Sequence, residues 1–487
     1  MFKNYLKTAL RNLKRNVVYS IINVVGLAIG MACCIVIMLF VMEELSWDRY
    51  HENAEKIFRV TRKTDFQDQE MHYANTRNEL SSHILEEIPE VKNTVRIRKW
   101  GGNIVRYGEK KFDIDQIYAD PSLFEVFTFP LIRGDRKTVL NDPNSVVILE
   151  DLAKSLFGDR DPMGEIISIS STLGKYDLCV TGIMKEIPKN SHFWFNVLVP
   201  FKNLEEIYYC STYLLLKDKK ASKTVEEKIP IIVKKHFGEE YASRIRGYSL
   251  QPITDIHLKS DLLAELGRNS NISYSYTYSG VAIAILLIAC INFMNLSTAR
   301  SSRRSKEVGI RKVAGAGKKQ LVLQFIGESV ILAFMALIIA ILIAYLLLPL
   351  FNELASKNLK LDFLGNPFLY IGLFGLTLFV GLLAGSYPAF FLSAFKPIQV
   401  IKGEKRDGTR LGGIIRKGLV IVQFAASLVF IIGAIVVFHQ LHYVSEKDLG
   451  FDSENVLRIH IGAESNYQQK GNIFINEFSK NPNILEA

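Results

Sequence analysis

The stretch that first invites a chemical reading is Gly315-Ala316-Gly317-Lys318. A glycine-rich turn ending in lysine can cradle a phosphate, but a P-loop needs G-x-x-x-x-G-K-[ST] opening a helix after a strand. Here Lys318 is followed by Lys319, so the motif fails. His439 and His442 stand three apart, a spacing that two metal ligands can share. No third ligand lies near them in sequence, and they read as interfacial histidines. No Ser/His/Asp or Cys/His set for nucleophilic catalysis stands out. The paired acids Glu86-Glu87 and Glu239-Glu240 read as solvated surface. Among the cysteines, Cys33, Cys34 and Cys290 fall in apolar runs and read as packing residues. Cys179 and Cys210 could pair in an oxidising compartment, though two free thiols on separate strands is the plainer reading. The residues therefore predict no catalytic group, no metal and no cofactor, hence no enzyme.

A basic segment is the stronger signal. Residues 291–329 read INFMNLSTARSSRRSKEVGIRKVAGAGKKQLVLQFIGES, with Gly309, Gly315 and Gly317 placed as helix breaks. Arg303, Glu307, Arg311 and Lys312 recur at helical spacing and would present one charged face to a partner. The plain alternative is a solvated basic loop that fixes membrane topology.

Topology is legible because five long runs carry no Asp, Glu, Lys or Arg: 16–42, 269–299, 329–352, 363–395 and 418–445. About 20 apolar residues span a bilayer as helix, and a lipid-facing backbone must satisfy its own hydrogen bonds. The predicted fold is an α-helical membrane protein with five transmembrane helices and a mixed α/β periplasmic domain. Residues 1–15, 300–319 and 396–417 are rich in Lys and Arg, whereas 353–362 is balanced. Basic loops collect on the cytoplasmic side. The N-terminus, a loop over 300–328 and a loop over 396–417 are thus expected inside, and 43–268, 353–362 and 446–487 outside, of a bacterial inner membrane. The first run is too long for a signal-peptide core and lacks a small-x-small cleavage site, so it reads as a retained anchor.

The net charge of +10 would raise nucleic acid as a partner in a soluble protein. Much of it flanks the spans, so topology and anionic lipid account for it, and no nucleic acid is expected. Residues 1–15 place Phe2, Tyr5, Leu6, Ala9, Leu10 and Leu13 on one helical face, as in a helix lying on the inner membrane surface. Gly26-x-x-x-Gly30 and Gly381-x-x-x-Gly385 let helices approach closely, here within one chain rather than in a dimer. Tyr387-Pro388 and Lys396-Pro397 mark either the end of the fourth span or a rigid elbow. The span centres hold no charge, which disfavours an ion-coupled transporter.

Between the first two spans, Ile57–Thr61, Thr94–Ile97, Ser145–Leu149, Asp177–Gly182 and Tyr208–Leu216 read as strands. Residues 78–88, stopped by Pro89, and 150–157, stopped by Gly158, read as helices. After 417 the pattern of basic segment, span and outer segment restarts, and 446–487 is expected to begin a second outer domain. A fragment or a truncated reading frame is the expectation.

Four stretches resemble one family. FKNYLKTALRNLKRNVVYSIINVVGLAIG, TFPLIRGDRKTVLNDPNSVVILEDLAKSLFGDRDPMGE, INFMNLSTARSSRRSKEVGIRKVAGAG and YPAFFLSAFKPIQVIKG are similar to the MacB/FtsX-type permease subunits of ABC transporters, in the long form common in Bacteroidetes-like bacteria. The resemblance implies a MacB-like periplasmic core domain over 43–268 and a cytoplasmic ABC ATPase as partner, beside membrane lipid and a periplasmic partner or substrate. It also implies that Arg303, Glu307, Val308, Gly309, Arg311 and Lys312 couple ATP hydrolysis to movement of the outer domain, for export or extraction of a substrate. Its FtsX branch implies the alternative of a signalling scaffold that regulates a periplasmic cell-wall hydrolase. The long form carries two four-span units, and this chain has one such unit and a fifth span. A membrane sensor ranks last, since no cytoplasmic output domain follows.

Overall fold

A computed structural model describes residues 17–171, 174–201, 208–299, 308–363, 367–393, 410–447, 473, 475–482 and 484. The expected surface helix over 2–15 and most of 446–487 lie outside the described residues. The chain divides into two units, residues 1–43 with 273–454, and residues 44–272 with 455–487. The described elements run α1 (Val17–Leu45), β1 (Ile57–Phe66), β2 (Gln69–Tyr73), β3 (Thr76–Arg77), α2 (Leu80–Glu87), β4 (Val91–Tyr107), β5 (Lys110–Ala119), α3 (Leu123–Val126), β6 (Leu131–Arg133), β7 (Ser145–Leu149), α4 (Glu150–Phe157), β8 (Ile166–Ser171), β9 (Gly174–Met184), β10 (Val197–Pro200), β11 (Tyr209–Leu216), α5 (Ser222–Ser243), β12 (Ile245–Pro252) and α6 (Ile253–Lys259). They continue with α7 (Ile272–Ala299), α8 (Lys318–Ala355), α9 (Pro367–Ser393) and α10 (Arg410–Glu446).

The mixed unit has two lobes that share β4. In the first, antiparallel strands lie in the order β12-β1-β11-β4. Successive side chains of a strand point to opposite faces. Phe58, Val60, Leu214 and Leu216 therefore face α2 and α5 and pack with Leu80, Ile84, Val225 and Ile229. Ile57, Tyr213 and Leu215 face the other way, into a second core with Phe127, Phe129 and Phe193. Both faces of β11 are covered, which is why its sequence YCSTYLLL carries no charged residue. In the second lobe β4, β5, β10, β7, β9 and β8 each pair with two of the others and close a ring. Val105, Ile148, Ile169, Leu178 and Val197 fill it, and α4 adds Leu152, Leu156 and Phe157. The helix α2 ends before Pro89, and α4 ends at Gly158, whose φ of 64° suits glycine. Cys179 and Cys210 sit on β9 and β11 as free thiols.

In the helical unit, α1, α7, α8, α9 and α10 are each long and apolar enough to cross a membrane. On α8, Ala333, Ala336, Ala340 and Ala344 form a small-residue stripe packed in the common core. Three expected boundaries move. The segment 300–328 is not a loop throughout, because α8 begins at Lys318 rather than with the apolar run at 329. A hydropathy window sees the charges of KKQLVLQFIGE, whereas the backbone sees a run that is mostly Lys, Gln, Leu and Glu, good helix formers, with no proline and a single glycine, Gly327. Likewise α10 begins at Arg410, inside the expected loop 396–417. Pro388 neither ends α9 nor breaks it, since the helix continues to Ser393. Lys396 and Pro397 lie outside the described residues. Helix α10 touches the bundle core through Leu419, and its Gln423 accepts a 3.4 Å hydrogen bond from Asn295. Phe424, Val429 and Val436 are exposed, as lipid-facing residues would be.

Candidate docking site on the helical unit

A short helix ending at Val313 leads through Gly315 into α8. Gly315 has φ 91°, a conformation that favours glycine and lets the chain turn between the two helices. Of the residues singled out by sequence, Val308, Gly309, Arg311 and Lys312 are described, and Arg303 and Glu307 lie outside the described residues. Val308 is buried with Leu321, Phe325, Ala389 and Leu392, from the start of α8 and the end of α9. Gly309 is buried beside it.

Arg311 and Lys312 differ from the outward charged face that their spacing predicts. Both are half-buried. Arg311 Nη1 donates to Gln324 Oε1 at 2.5 Å, and Gln324 Nε2 donates to Glu328 Oε1 at 3.1 Å. Lys312 Nζ donates to the Ser393 carbonyl at 2.7 Å, at the last residue of α9. A cation there meets the unsatisfied carbonyls and negative end of the helix dipole. The physical reason for the difference is that Gln324, Glu328 and the end of α9 offer acceptors in a partly dry site, which solvent cannot match. The outward positions carry Ile310 and Val313 instead, 71% and 66% exposed, three apart on one helical face.

Gln324 and Glu328 were not singled out in the sequence. Their signal is a Gln and a Glu four apart at the head of an apolar run, both more than nine-tenths buried. Next to Glu328, α8 and α9 come close. A Cβ on Gly381 would stand 2.7 Å from Val330 Cα, and one on Gly385 2.7 Å from Ser329 Cβ. The other glycine pair is uneven: a Cβ on Gly30 would stand 2.6 Å from Ala289 Cβ, whereas one on Gly26 meets Asn292 Nδ2 at an ordinary 3.5 Å. The short helix, α8 and α9 are thus tied by an apolar cluster, two charged side chains and a glycine contact.

In the mixed unit, Glu87 pairs with Lys235 and His236, Glu239 with Lys234 and Glu240 with Arg244, all at the surface. Solvent-exposed pairs of this kind contribute little to stability. His442 pairs with Glu446 at 3.1 Å, and no cluster that could hold a metal occurs among the described residues.

A family profile described as MacB-like periplasmic core domain matches residues 20–231, and one described as FtsX-like permease C-terminal matches 279–397. The chain is 24% identical over 299 residues to the macrolide export ATP-binding/permease protein MacB of Bdellovibrio bacteriovorus, covering 60% of this chain and 42% of that protein. It is 27% identical over 341 residues to an uncharacterized ABC transporter permease of Methanocaldococcus jannaschii, covering 66% of this chain and 81% of that protein. The chain thus spans less than half the length of the Bdellovibrio relative. Among solved structures, the periplasmic region of MacB from Actinobacillus actinomycetemcomitans is 16% identical with a TM-score of 0.32, covering 41% of this chain and 90% of that one. The extracellular domain of a noncanonic ABC-type transporter from Gram-positive bacteria is 16% identical with a TM-score of 0.32, covering 40% and 99%.

Proposed function

The chain is a MacB/FtsX-type ABC transporter permease, and from that premise we propose that it docks a separate cytoplasmic ATPase through the short helix ending at Val313. ATP hydrolysis on that partner moves the helical unit, and the movement is carried to a periplasmic core domain for export or extraction of a substrate. The N-terminus is cytoplasmic in this reading, and the membrane is the bacterial inner membrane. The observation that supports it is the division of labour on the short helix: Ile310 and Val313 are exposed, while Arg311 and Lys312 are bonded to α8 and α9. Apolar side chains exposed on a membrane protein's polar side call for a protein partner. Arg303, Glu307, Val308, Gly309, Arg311 and Lys312 then act as coupling residues, of which Arg311 and Lys312 orient the helix rather than touch the ATPase.

The test separates binding from coupling. Arg311→Ala with Lys312→Ala should leave a co-purifying ATPase bound, yet abolish the permease's effect on its ATP hydrolysis. Unchanged hydrolysis in the double variant would remove both residues from the coupling path. The FtsX-type alternative, regulation of a periplasmic cell-wall hydrolase, uses the same movement, and capture of such a hydrolase by residues 44–272 would favour it.

A further inference from the structure

Both chain connections of the mixed unit meet at two buried acid–histidine pairs, whose acids come from the entry segment. On the entry side, Glu44 is the next-to-last residue of α1, and its Oε2 lies 3.1 Å from His257 Nε2 on α6. The Trp47 ring stacks on the His257 ring at 3.4 Å with an interplanar angle of 2°. Asp48 then adopts φ 59°, strained for a residue with a Cβ. Its backbone N–H donates to the Asn190 carbonyl at 2.9 Å, and its Oδ1 accepts from the His192 backbone at 3.1 Å and lies 2.9 Å from His192 Nδ1. A carboxylate accepts, so His192 Nδ1 donates to Asp48, and on its other edge His192 Nε2 is hydrogen-bonded with Tyr213 Oη at 2.7 Å. Tyr50 Oη donates to Ser191 Oγ at 3.1 Å, and Asn190 Nδ2 donates to Ser46 Oγ at 3.0 Å.

The exit side uses the same partners. The Ser270 backbone N–H donates to the His257 carbonyl at 2.7 Å. Gly267 presses on the 190–193 loop so closely that a Cβ there would stand 2.2 Å from the His192 carbonyl oxygen. Beneath both, Arg59 is fully buried. The strand register sets it opposite Tyr213 on β11 and Gln251 on β12. It bonds Glu265 at 2.5 and 2.9 Å, Gln251 at 2.7 Å and Ser260 at 3.0 Å.

We propose that this clasp is the joint that carries movement of α1 and α7 into the sheet, with Glu44, Asp48, His192 and His257 as positioning residues. The inference rests on the coupling function above. A connection of polar loops would absorb a shift of the helix that feeds it, because exposed loop hydrogen bonds open locally at little cost. Here the entry segment, the 190–193 loop, α6 and the exit segment are cross-bonded in a buried site. Moving either connection therefore displaces β1 and β11 rather than bending a loop. The pairs are buried carboxylate–histidine contacts, so they are directional where an apolar plug of equal volume would slide.

The experiment is hydrogen exchange of the full chain in lipid nanodiscs with its co-purified ATPase, in ATP and in ADP. In the native chain the strands of the mixed unit should change protection with nucleotide. In His257→Leu the ATPase should stay bound and hydrolyse, while that change is confined to the helical unit, and protection should fall in 44–52 and 260–271 together. His257→Gln, whose amide can still donate to Glu44, should recover part of the transmitted change, which a purely space-filling role would not allow. If His257→Leu fails to fold, Asp48→Asn, which keeps the shape, decides the matter. A nucleotide response in the strands as large as the native one in either folded variant overturns the proposal. If the native chain itself shows no nucleotide response, the coupling function fails. The joint is then judged by whether His257→Leu loosens both connections at once, and loosening of 44–52 alone overturns it.

Discussion

Replacing Arg59 by methionine should cost the mixed unit about 3–5 kcal/mol, because it leaves the Glu265 carboxylate largely buried without its partner. The Glu265 side chain is 13% exposed and that of Arg59 wholly buried. All three tryptophans, Trp47, Trp100 and Trp194, lie in this unit, so their fluorescence reports its unfolding by denaturant in the full chain. Arg59→Met with Glu265→Gln should recover much of the loss, since no uncompensated charge remains. If the single and double variants lose equally, packing rather than charge holds the site. The same pair predicts a pH dependence. Burial raises the Glu265 pKa, but hydrogen bonding to and attraction by Arg59 outweigh it and hold the carboxyl below its ordinary value of 4.5. The unfolded state then binds the proton first as pH falls. The pair's contribution is complete above that ordinary value and is lost as pH drops through the lowered one. Arg59→Met should show a flatter acid limb of stability against pH than the native chain.

The second large effect concerns α8 and α9. Gly381→Ala and Gly385→Ala should each cost about 1–3 kcal/mol, because the added methyl meets a neighbouring helix that has no flexible tip to yield. The nearest atoms are Val330 Cα and Ser329 Cβ, each at 2.7 Å. Gly26→Ala is the control: its Cβ makes an ordinary 3.5 Å contact with Asn292, so the bundle should melt at or slightly above the native temperature. Thermal unfolding in detergent measures all three. Equal melting of Gly381→Ala and Gly26→Ala would show that the close approach is not what holds α8 to α9.

These cases mark what a sequence can and cannot reveal. The spans were legible because a charge-free run of this length has one stable backbone state in lipid, and the structure has five helices long and apolar enough to cross a membrane, although α8 and α10 begin eleven and eight residues ahead of their apolar runs. The strands over Ser145–Leu149 and Tyr209–Leu216 were legible from β-branched and aromatic runs bounded by turns. The true start of α8 was not, since charge hides a helix from a hydropathy window. The inward turn of Arg311 and Lys312 was hidden for another reason. Helical spacing fixes which residues share a face, but the acceptors that decide where the face points belong to α8 and α9. Arg59 and Glu265 are separated by 206 residues, and only the pairing of β1 with β11 and β12 brings the charge to its partners. One local hint existed: in Ile57–Arg62 the apolar Phe58 and Val60 share one face, which leaves Arg59 on the opposite, equally buried one.

The role of the short helix rests on exposed Ile310 and Val313, and one measurement addresses it directly. The full chain is affinity-purified from its native membranes as the native form and as Ile310→Asp with Val313→Asp, and co-purifying proteins are identified by mass spectrometry. An ABC ATPase that accompanies the native chain and is absent from the double variant, with the spans still folded, is the predicted result. An ATPase retained by the double variant, or none with the native chain, would contradict docking through this helix.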